Sequence, residues 1–243
     1  MRLHTVLVLP LLASVASADL YTEEHCVEKM PDRTFEIHLK YWYSAKGKRV
    51  EEKSEVQHSI SIFRWDTQMH YVINLRDDTY REETLADLNR RNDEAKKQTA
   101  AQMEEFAKQI EADKGKEEAD KFRQGLNEPK TYSLEEVGTE TVLGHACTKY
   151  RLVGGGSSDV FYWATRELDP GDLNLDAQLS IADHFSASEA SLLRSNIGVV
   201  LQNAMGKEGD FMVQVVEVTK VSTDPIDPSL FELPKGLKRQ EQK

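Results

Sequence analysis

Histidine and cysteine, the side chains most often used to bind metals and to attack substrates, are few and scattered in this sequence. Beyond residue 18 the histidines are His25, His38, His58, His70, His145 and His184. No two of them stand four residues apart on a predicted helix with a carboxylate between them, and none accompanies a cysteine pair at zinc spacing. The spacing therefore predicts neither a metal site nor a bound cofactor.

Motifs for nucleophilic catalysis and phosphate binding are also missing from the sequence. It contains no Gly-x-Ser-x-Gly motif of the kind that places a hydrolase serine. The glycine run at 154–156 joins two predicted strands and does not open a helix, so it does not form a phosphate-binding loop. With 42 acidic residues, chance pairs of carboxylates are expected. We therefore expect a protein that is not an enzyme and has no catalytic residues.

The two cysteines, Cys26 and Cys147, have three possible roles. In an exported protein an even number of cysteines favours a disulfide, which here could only join these two. The alternative is one buried free thiol and one exposed thiol. A catalytic cysteine is disfavoured, because no histidine and asparagine accompany either residue in a recognisable motif.

The N-terminus and the charge balance together predict an exported protein. Residues 1–18 combine Arg2, an apolar run and a small-residue end at Ala16-Ser17-Ala18, which is the layout of a signal peptide cleaved after Ala18. The mature chain, 19–243, is then periplasmic or secreted, forms a single domain and contains no transmembrane segment. A net charge of −11 disfavours binding to nucleic acid.

Alternating apolar and polar residues predict an antiparallel β-sheet. The alternation covers 35–43, 49–57, 59–65, 69–75, 139–143, 145–153, 160–165 and 211–221, with turn residues between the runs. Strand 49–57 is rich in charge, which suits the edge of a sheet. Residues 229–234 are expected to dock on the sheet as a short terminal segment.

Two stretches have the pattern of helices. The insertion 82–125 is highly charged with a sparse apolar stripe, and Gly115 could divide it into two helices. It either lies over the sheet as a solvated cover or binds a partner protein. The second stretch, 188–204, follows a capping box and is denser in apolar residues, so we expect it to cover the sheet. Strands around helical segments predict an α+β fold: a curved antiparallel sheet covered by helices.

Aromatic side chains are concentrated on the predicted strands. Most of them are accounted for by ordinary core packing. The alternative is that a strongly curved sheet leaves an apolar groove able to hold a lipid or an acyl chain. The expected lining of that groove is Tyr41, Phe63, Tyr71, Tyr150, Tyr162 and Trp163.

Three stretches, 137–150, 160–168 and 231–237, resemble an exported bacterial family of domains of unknown function. That family is similar to the LolA/LolB-type lipoprotein carriers, in which a half-open β-barrel wraps around covering helices. The resemblance implies a half-barrel and no established catalytic residues. It is compatible with two functions: a non-enzymatic carrier for a hydrophobic ligand such as a lipid or a lipoprotein acyl chain, or an envelope scaffold that binds a protein partner through the charged insertion.

Overall fold

The structure is a computed structural model that describes residues 19–127, 132–154, 160–168, 197–206, 210 and 212–240. The predicted leader, 1–18, and the predicted helix start at 186–189 lie outside the described residues. The strands are β1 (Leu20–Lys29), β2 (Thr34–Ser44), β3 (Gly47–Ser54), β4 (His58–Arg64), β5 (Met69–Asn74), β6 (Thr79–Thr84), β7 (Ser133–Val142), β8 (His145–Val153), β9 (Val160–Thr165), β10 (Val199–Met205), β11 (Val213–Ser222) and β12 (Lys238–Arg239). The helices are α1 (Leu85–Lys114) and α2 (Lys116–Asn127), and a 3₁₀ turn spans Pro228–Phe231.

All of these strands belong to one open sheet, ordered β12-β6-β5-β4-β3-β2-β1-β11-β10-β9-β8-β7. Neighbours pair antiparallel except for the two-residue β12, which is parallel to β6. The predicted antiparallel sheet is therefore confirmed, including the tight corner between β7 and β8. There Leu143 and Gly144 have φ of 52° and 85°, as a two-residue hairpin turn requires.

Three features of the sheet differ from the sequence predictions. The first is the missed strand β1, which occupies the centre of the sheet between β2 and β11. The second is β10: the expected helix 188–204 is wrong over its described C-terminal part, which is a strand, because short apolar runs fit either period. The third is β3, which is interior although its charge suits an edge. Its Arg49 donates to the Leu230 carbonyl at 3.1 Å and lies 3.8 Å from Glu51.

The charged insertion forms two helices that pack mainly against each other. Residues 82–84 belong to β6, α1 starts after the cap Thr84, and Gly115 (φ 89°) ends α1 as predicted. Phe106 and Phe122 pack edge to face at 5.4 Å between the helices. The contacts of α1 with the sheet are mostly with β5 and β6, so the described helices do not cover the centre of the sheet. Neither helix has the continuous apolar run needed to cross a bilayer.

The register of the sheet assigns each side chain to one of two faces, because directly opposed residues of an antiparallel pair share a face. One row across six strands consists of Ile37, Cys26, Val216, Asn203, Tyr162 and Tyr150. We call this side the Tyr41 face, since Tyr41 also points to it. The adjacent row, on the other side, consists of His38, His25, Glu217, Gln202, Trp163 and Lys149. We call that side the Trp42 face.

The predicted terminal segment docks on the sheet as expected, and it does so on the Trp42 face. Phe231 is fully buried there against Ile60, Ile62 and Ile73. Just beyond it, Glu232 accepts from Lys46 at 2.7 Å. The segment therefore closes the apolar core over β4 and β5.

Candidate functional site

The largest of the grooves and cavities that we describe opens beside the start of β2 and the end of β3. It is a groove of about 700 Å³, within the range typical of small-molecule sites. Its apolar side chains are Phe35, Ile37 and Val56, and Val56 is 73% exposed. Phe35 and Ile37 lie on the Tyr41 face, and the alternating residues Glu36 and His38 lie on the Trp42 face. The groove therefore follows the end of the sheet and has its apolar wall on the Tyr41 face. An exposed valine beside two half-buried apolar residues is a surface onto which another apolar group can pack.

The polar rim of this groove is acidic. Glu28, Glu36, Glu52 and Glu55 line it, with Lys53 as the counter-charge. Four carboxylates against one ammonium group repel an anionic headgroup at the entrance. The groove is therefore better suited to neutral or cationic ligands than to anionic ones.

A second groove lies on the Tyr41 face at β8 and β9. It has a volume of about 370 Å³ and is lined by Ala146, Thr148, Tyr150, Ala164 and Ile197, with Arg166 and Glu167 at its side. Its β8 residues, Ala146, Thr148 and Tyr150, are every second residue of the strand and therefore share one face. The apolar walls of both grooves thus belong to the Tyr41 face, one on each side of the middle of the sheet, and each groove is large enough for a small ligand.

Between the two grooves the Tyr41 face holds a small polar cavity. Its volume of about 20 Å³ is enough for one water molecule. Thr22, Glu24, Tyr43 and Asn203 line it among valine and leucine side chains. The Tyr43 hydroxyl is buried and has no hydrogen-bond partner, and the Thr22 hydroxyl donates to Glu24 at 3.3 Å.

Burial sets the protonation of Glu24. Desolvation raises the pKa of this carboxyl to about 7, and the hydrogen bond from Thr22 and the charge of Lys48 offset only part of that effect. Near neutral pH a fraction of Glu24 is therefore a neutral acid that can donate a hydrogen bond. Glu24 and the Tyr43 hydroxyl are thus two polar groups in one small cavity among apolar side chains.

The six residues predicted to line a ligand groove are divided between the two faces. Tyr41, Phe63, Tyr150 and Tyr162 lie on the Tyr41 face, and among them Tyr150 borders a groove described above. Tyr71 and Trp163 lie on the Trp42 face, so they do not belong to the same lining. Tyr41 and Tyr162 are almost fully buried in the floor of the sheet.

The expected disulfide between Cys26 and Cys147 is not formed: both residues are buried free thiols. Cys26 is on the Tyr41 face of β1, whereas Cys147 is on the Trp42 face of β8, and three strands lie between β1 and β8. Their side chains therefore point to opposite sides of the sheet, and no rotamer joins them. Burial raises the pKa of Cys26 to about 11, so this thiol stays protonated at neutral pH.

Sequence reasoning missed Glu24, Tyr43 and Val56. The available signal for Glu24 was the alternation of Leu20, Thr22, Glu24 and Cys26, which places a carboxylate on the apolar side of a strand. Val56 gave no signal, because an isolated apolar residue in a turn is ordinary. Its importance depends on the side chains that the fold brings beside it.

Comparison with solved structures finds distant likenesses. An uncharacterised conserved protein from Thermus thermophilus is 7% identical, with a TM-score of 0.48 over 93% of this chain and 91% of the other. A LolA superfamily protein from Nitrosomonas europaea is 8% identical, with a TM-score of 0.33 over 89% and 91%. A chain of the Pseudomonas aeruginosa MucA/MucB complex is 7% identical, with a TM-score of 0.40 over 91% of this chain and 58% of the other. TM-scores below 0.5 assign no function.

Comparison by sequence is more specific. No curated protein matches the chain. Residues 108–237, more than half of the chain, match a protein family described as a domain of unknown function (DUF4412). The matched range contains all three stretches from which the resemblance was inferred. The chain therefore belongs to this family of domains of unknown function, DUF4412.

Proposed function

We propose that this chain is an exported, non-enzymatic binding protein that holds a hydrophobic group, such as a lipid or the acyl chain of a lipoprotein, on the Tyr41 face of its sheet. The observation that carries the proposal is the groove of about 700 Å³ with Phe35, Ile37 and Val56 in its wall. A groove of this volume can hold a small hydrophobic ligand. Burial of the Val56 side chain under that ligand is alone worth about 1.5 kcal/mol. The leader-like 1–18 supports export.

Curvature toward the Tyr41 face supports a half-barrel. Tyr43 on β2 and Val200 on β10 both lie on the Tyr41 face and line the same small cavity, although β1 and β11 lie between them. In a flat sheet these strands would be about 14 Å apart. A sheet that bends toward the Tyr41 face shortens this distance and makes that face the inside of a trough.

The charges around the trough narrow the class of ligand. The acidic rim at Glu28, Glu52 and Glu55 disfavours fatty acids and anionic phospholipids. A neutral glyceride, or an acyl group attached to a protein, brings the same hydrocarbon without the negative charge.

The proposal is tested with a neutral apolar fluorophore, N-phenyl-1-naphthylamine, whose emission rises on binding. We expect Val56→Asp to weaken binding about tenfold, because it removes about 1.5 kcal/mol of apolar contact. The matched control is Val137→Asp on edge strand β7, where the valine is 46% exposed and lines neither groove. Native mass spectrometry of the purified protein should detect a bound neutral lipid.

Two outcomes of this experiment oppose the proposal. The first is a wild-type protein that leaves the fluorophore emission unchanged and carries no lipid. The second is equal binding by the wild type, Val56→Asp and Val137→Asp. Because Val56 is mostly exposed, the substitution has little effect on folding and a loss of binding can be assigned to the groove.

A second candidate function, binding of a protein partner, is favoured by the helix pair α1 and α2. This pair extends from the sheet and leaves Met103, Phe106 and Leu126 exposed by 38%, 51% and 50%. Arg123 holds the two helices together, with its guanidinium 3.0 Å from Glu104. A pair of packed helices with exposed apolar residues has the features of a surface that binds another protein.

This alternative is tested by cross-linking in an envelope fraction. We expect a protein that cross-links to the wild type to be lost from the double variant Met103→Glu and Leu126→Glu. Both side chains are exposed, so the fold and the fluorophore binding should remain as in the wild type. The control is Val137→Glu. An unchanged set of cross-linked proteins in the double variant would eliminate the helix pair as the binding surface.

A further inference from the structure

His25 and His38 are directly opposite each other on β1 and β2, on the Trp42 face. Their rings stack with centroids 4.7 Å apart and planes 7° from parallel. Glu36, two residues from His38 on the same face, places Oε2 3.5 Å from Nε2 of His25. One donor atom from each of the three side chains lies within 4.8 Å of the others.

One polar atom of this cluster is buried without a hydrogen-bond partner. Nε2 of His25 is buried from solvent and has no hydrogen-bond partner, even though Glu36 is near. A buried ring nitrogen without a partner loses its hydration without compensation. A cation between the nitrogens of the two rings would be attracted to the lone pairs of both.

The donor set selects the class of ion. Two imidazole nitrogens and one carboxylate suit Zn²⁺ and similar transition-metal ions, whereas Ca²⁺ and Mg²⁺ prefer sites made of oxygen. With bonds of about 2.0–2.1 Å, the donors of a tetrahedral zinc site are about 3.3 Å apart. Glu36 and His38 are exposed, so their side chains are free to close the remaining distance.

We propose that His25, Glu36 and His38 form a binding site for a divalent transition-metal ion, with Zn²⁺ the best fit. Glu36 and His38 also border the groove of about 700 Å³, which leaves room for water or a ligand atom at the fourth position. In the same row Glu217 faces His25 from β11, and Lys53 faces His38 from β3. The site does not depend on whether the Tyr41 face binds a hydrophobic group.

The test is titration of the purified protein with Zn²⁺ by calorimetry and with Co²⁺ by visible absorption. We expect one ion per chain and Co²⁺ bands of a nitrogen- and oxygen-ligated site. His25→Ala and His38→Ala should each weaken binding at least about tenfold, because even the loss of a ligand's hydrogen-bond partner costs about 10–100-fold. Glu36→Gln should weaken binding as well.

The matched control is His145→Ala. His145 is also a partly exposed strand histidine beside a carboxylate, 3.1 Å from Glu167, but it has no second histidine opposite it. This variant should bind Zn²⁺ as the wild type does. Circular dichroism verifies that each variant is folded, and the exposed His38 supplies a test even if His25→Ala does not fold. Absence of uptake by the wild type, or uptake unchanged in both His38→Ala and Glu36→Gln, overturns the site.

Discussion

Replacing Phe231 with alanine should lower the free energy of unfolding by about 3–5 kcal/mol. The ring is fully buried against Ile60, Ile62 and Ile73, and no solvent reaches it. Its removal leaves a cavity between the terminal segment and the sheet, and the rigid β-strands on one side cannot collapse into it. The measurement is urea unfolding followed by far-ultraviolet circular dichroism.

The matched control for this prediction is Phe106→Ala on α1. Phe106 is 51% exposed, so the same change of residue should cost about 1 kcal/mol, mostly from the lost contact with Phe122. Comparable losses in the two variants would contradict the assignment of Phe231 as the residue that closes the core on the Trp42 face.

Glu24 should make the protein less stable as the pH rises from 5 to 8. The folded-state pKa of about 7 exceeds the ordinary value of 4.5, so the native protein binds the proton more tightly than the unfolded chain. This contribution to stability is complete below about pH 4.5 and is lost as the pH rises through about 7. The loss amounts to about 3 kcal/mol at most.

The substitution Glu24→Gln isolates this effect, because glutamine has the shape of the protonated acid and does not titrate. From pH 5 to pH 8 the free energy of unfolding should fall by more in the wild type than in Glu24→Gln. The difference between the two proteins is the relevant quantity, since burial lowers the pKa of His70 and gives a pH dependence of opposite sign. Parallel pH profiles would show that Glu24 is solvated in the folded protein.

Local chemistry accounts for the parts of the fold that sequence reasoning predicted correctly. The alternation on β2, β4 and β5 identifies half-buried strands, because successive side chains of a strand point to opposite faces. Leu143-Gly144 and Gly115 break the pattern where the chain turns, since both glycines adopt positive φ. Each of these signals is carried by residues close together in the chain.

The elements that were missed or mistaken depend on distant neighbours. The apolar run at 199–205 fits a strand or a helix equally well, and pairing with β9 and β11 decides for the strand. Arg49 and Glu51 read as edge residues, yet the terminal segment supplies Arg49 with a carbonyl acceptor from 181 residues away. Whether a strand lies in the interior of the sheet is therefore decided by contacts with residues that are distant in the sequence.

The sequence by itself determined the antiparallel sheet, the break at Gly115 and the docking of the Phe231 segment, because each follows from local periodicity, turn geometry or a compact apolar motif. Tertiary structure alone decided the candidate sites. The strand register places Cys26 and Cys147 on opposite faces and His25 opposite His38. The packing of neighbouring strands brings Glu24 and Tyr43 to the same small cavity. The physical reason is that register arises from pairing between strands far apart in the chain, and a shift of one residue would exchange the two faces.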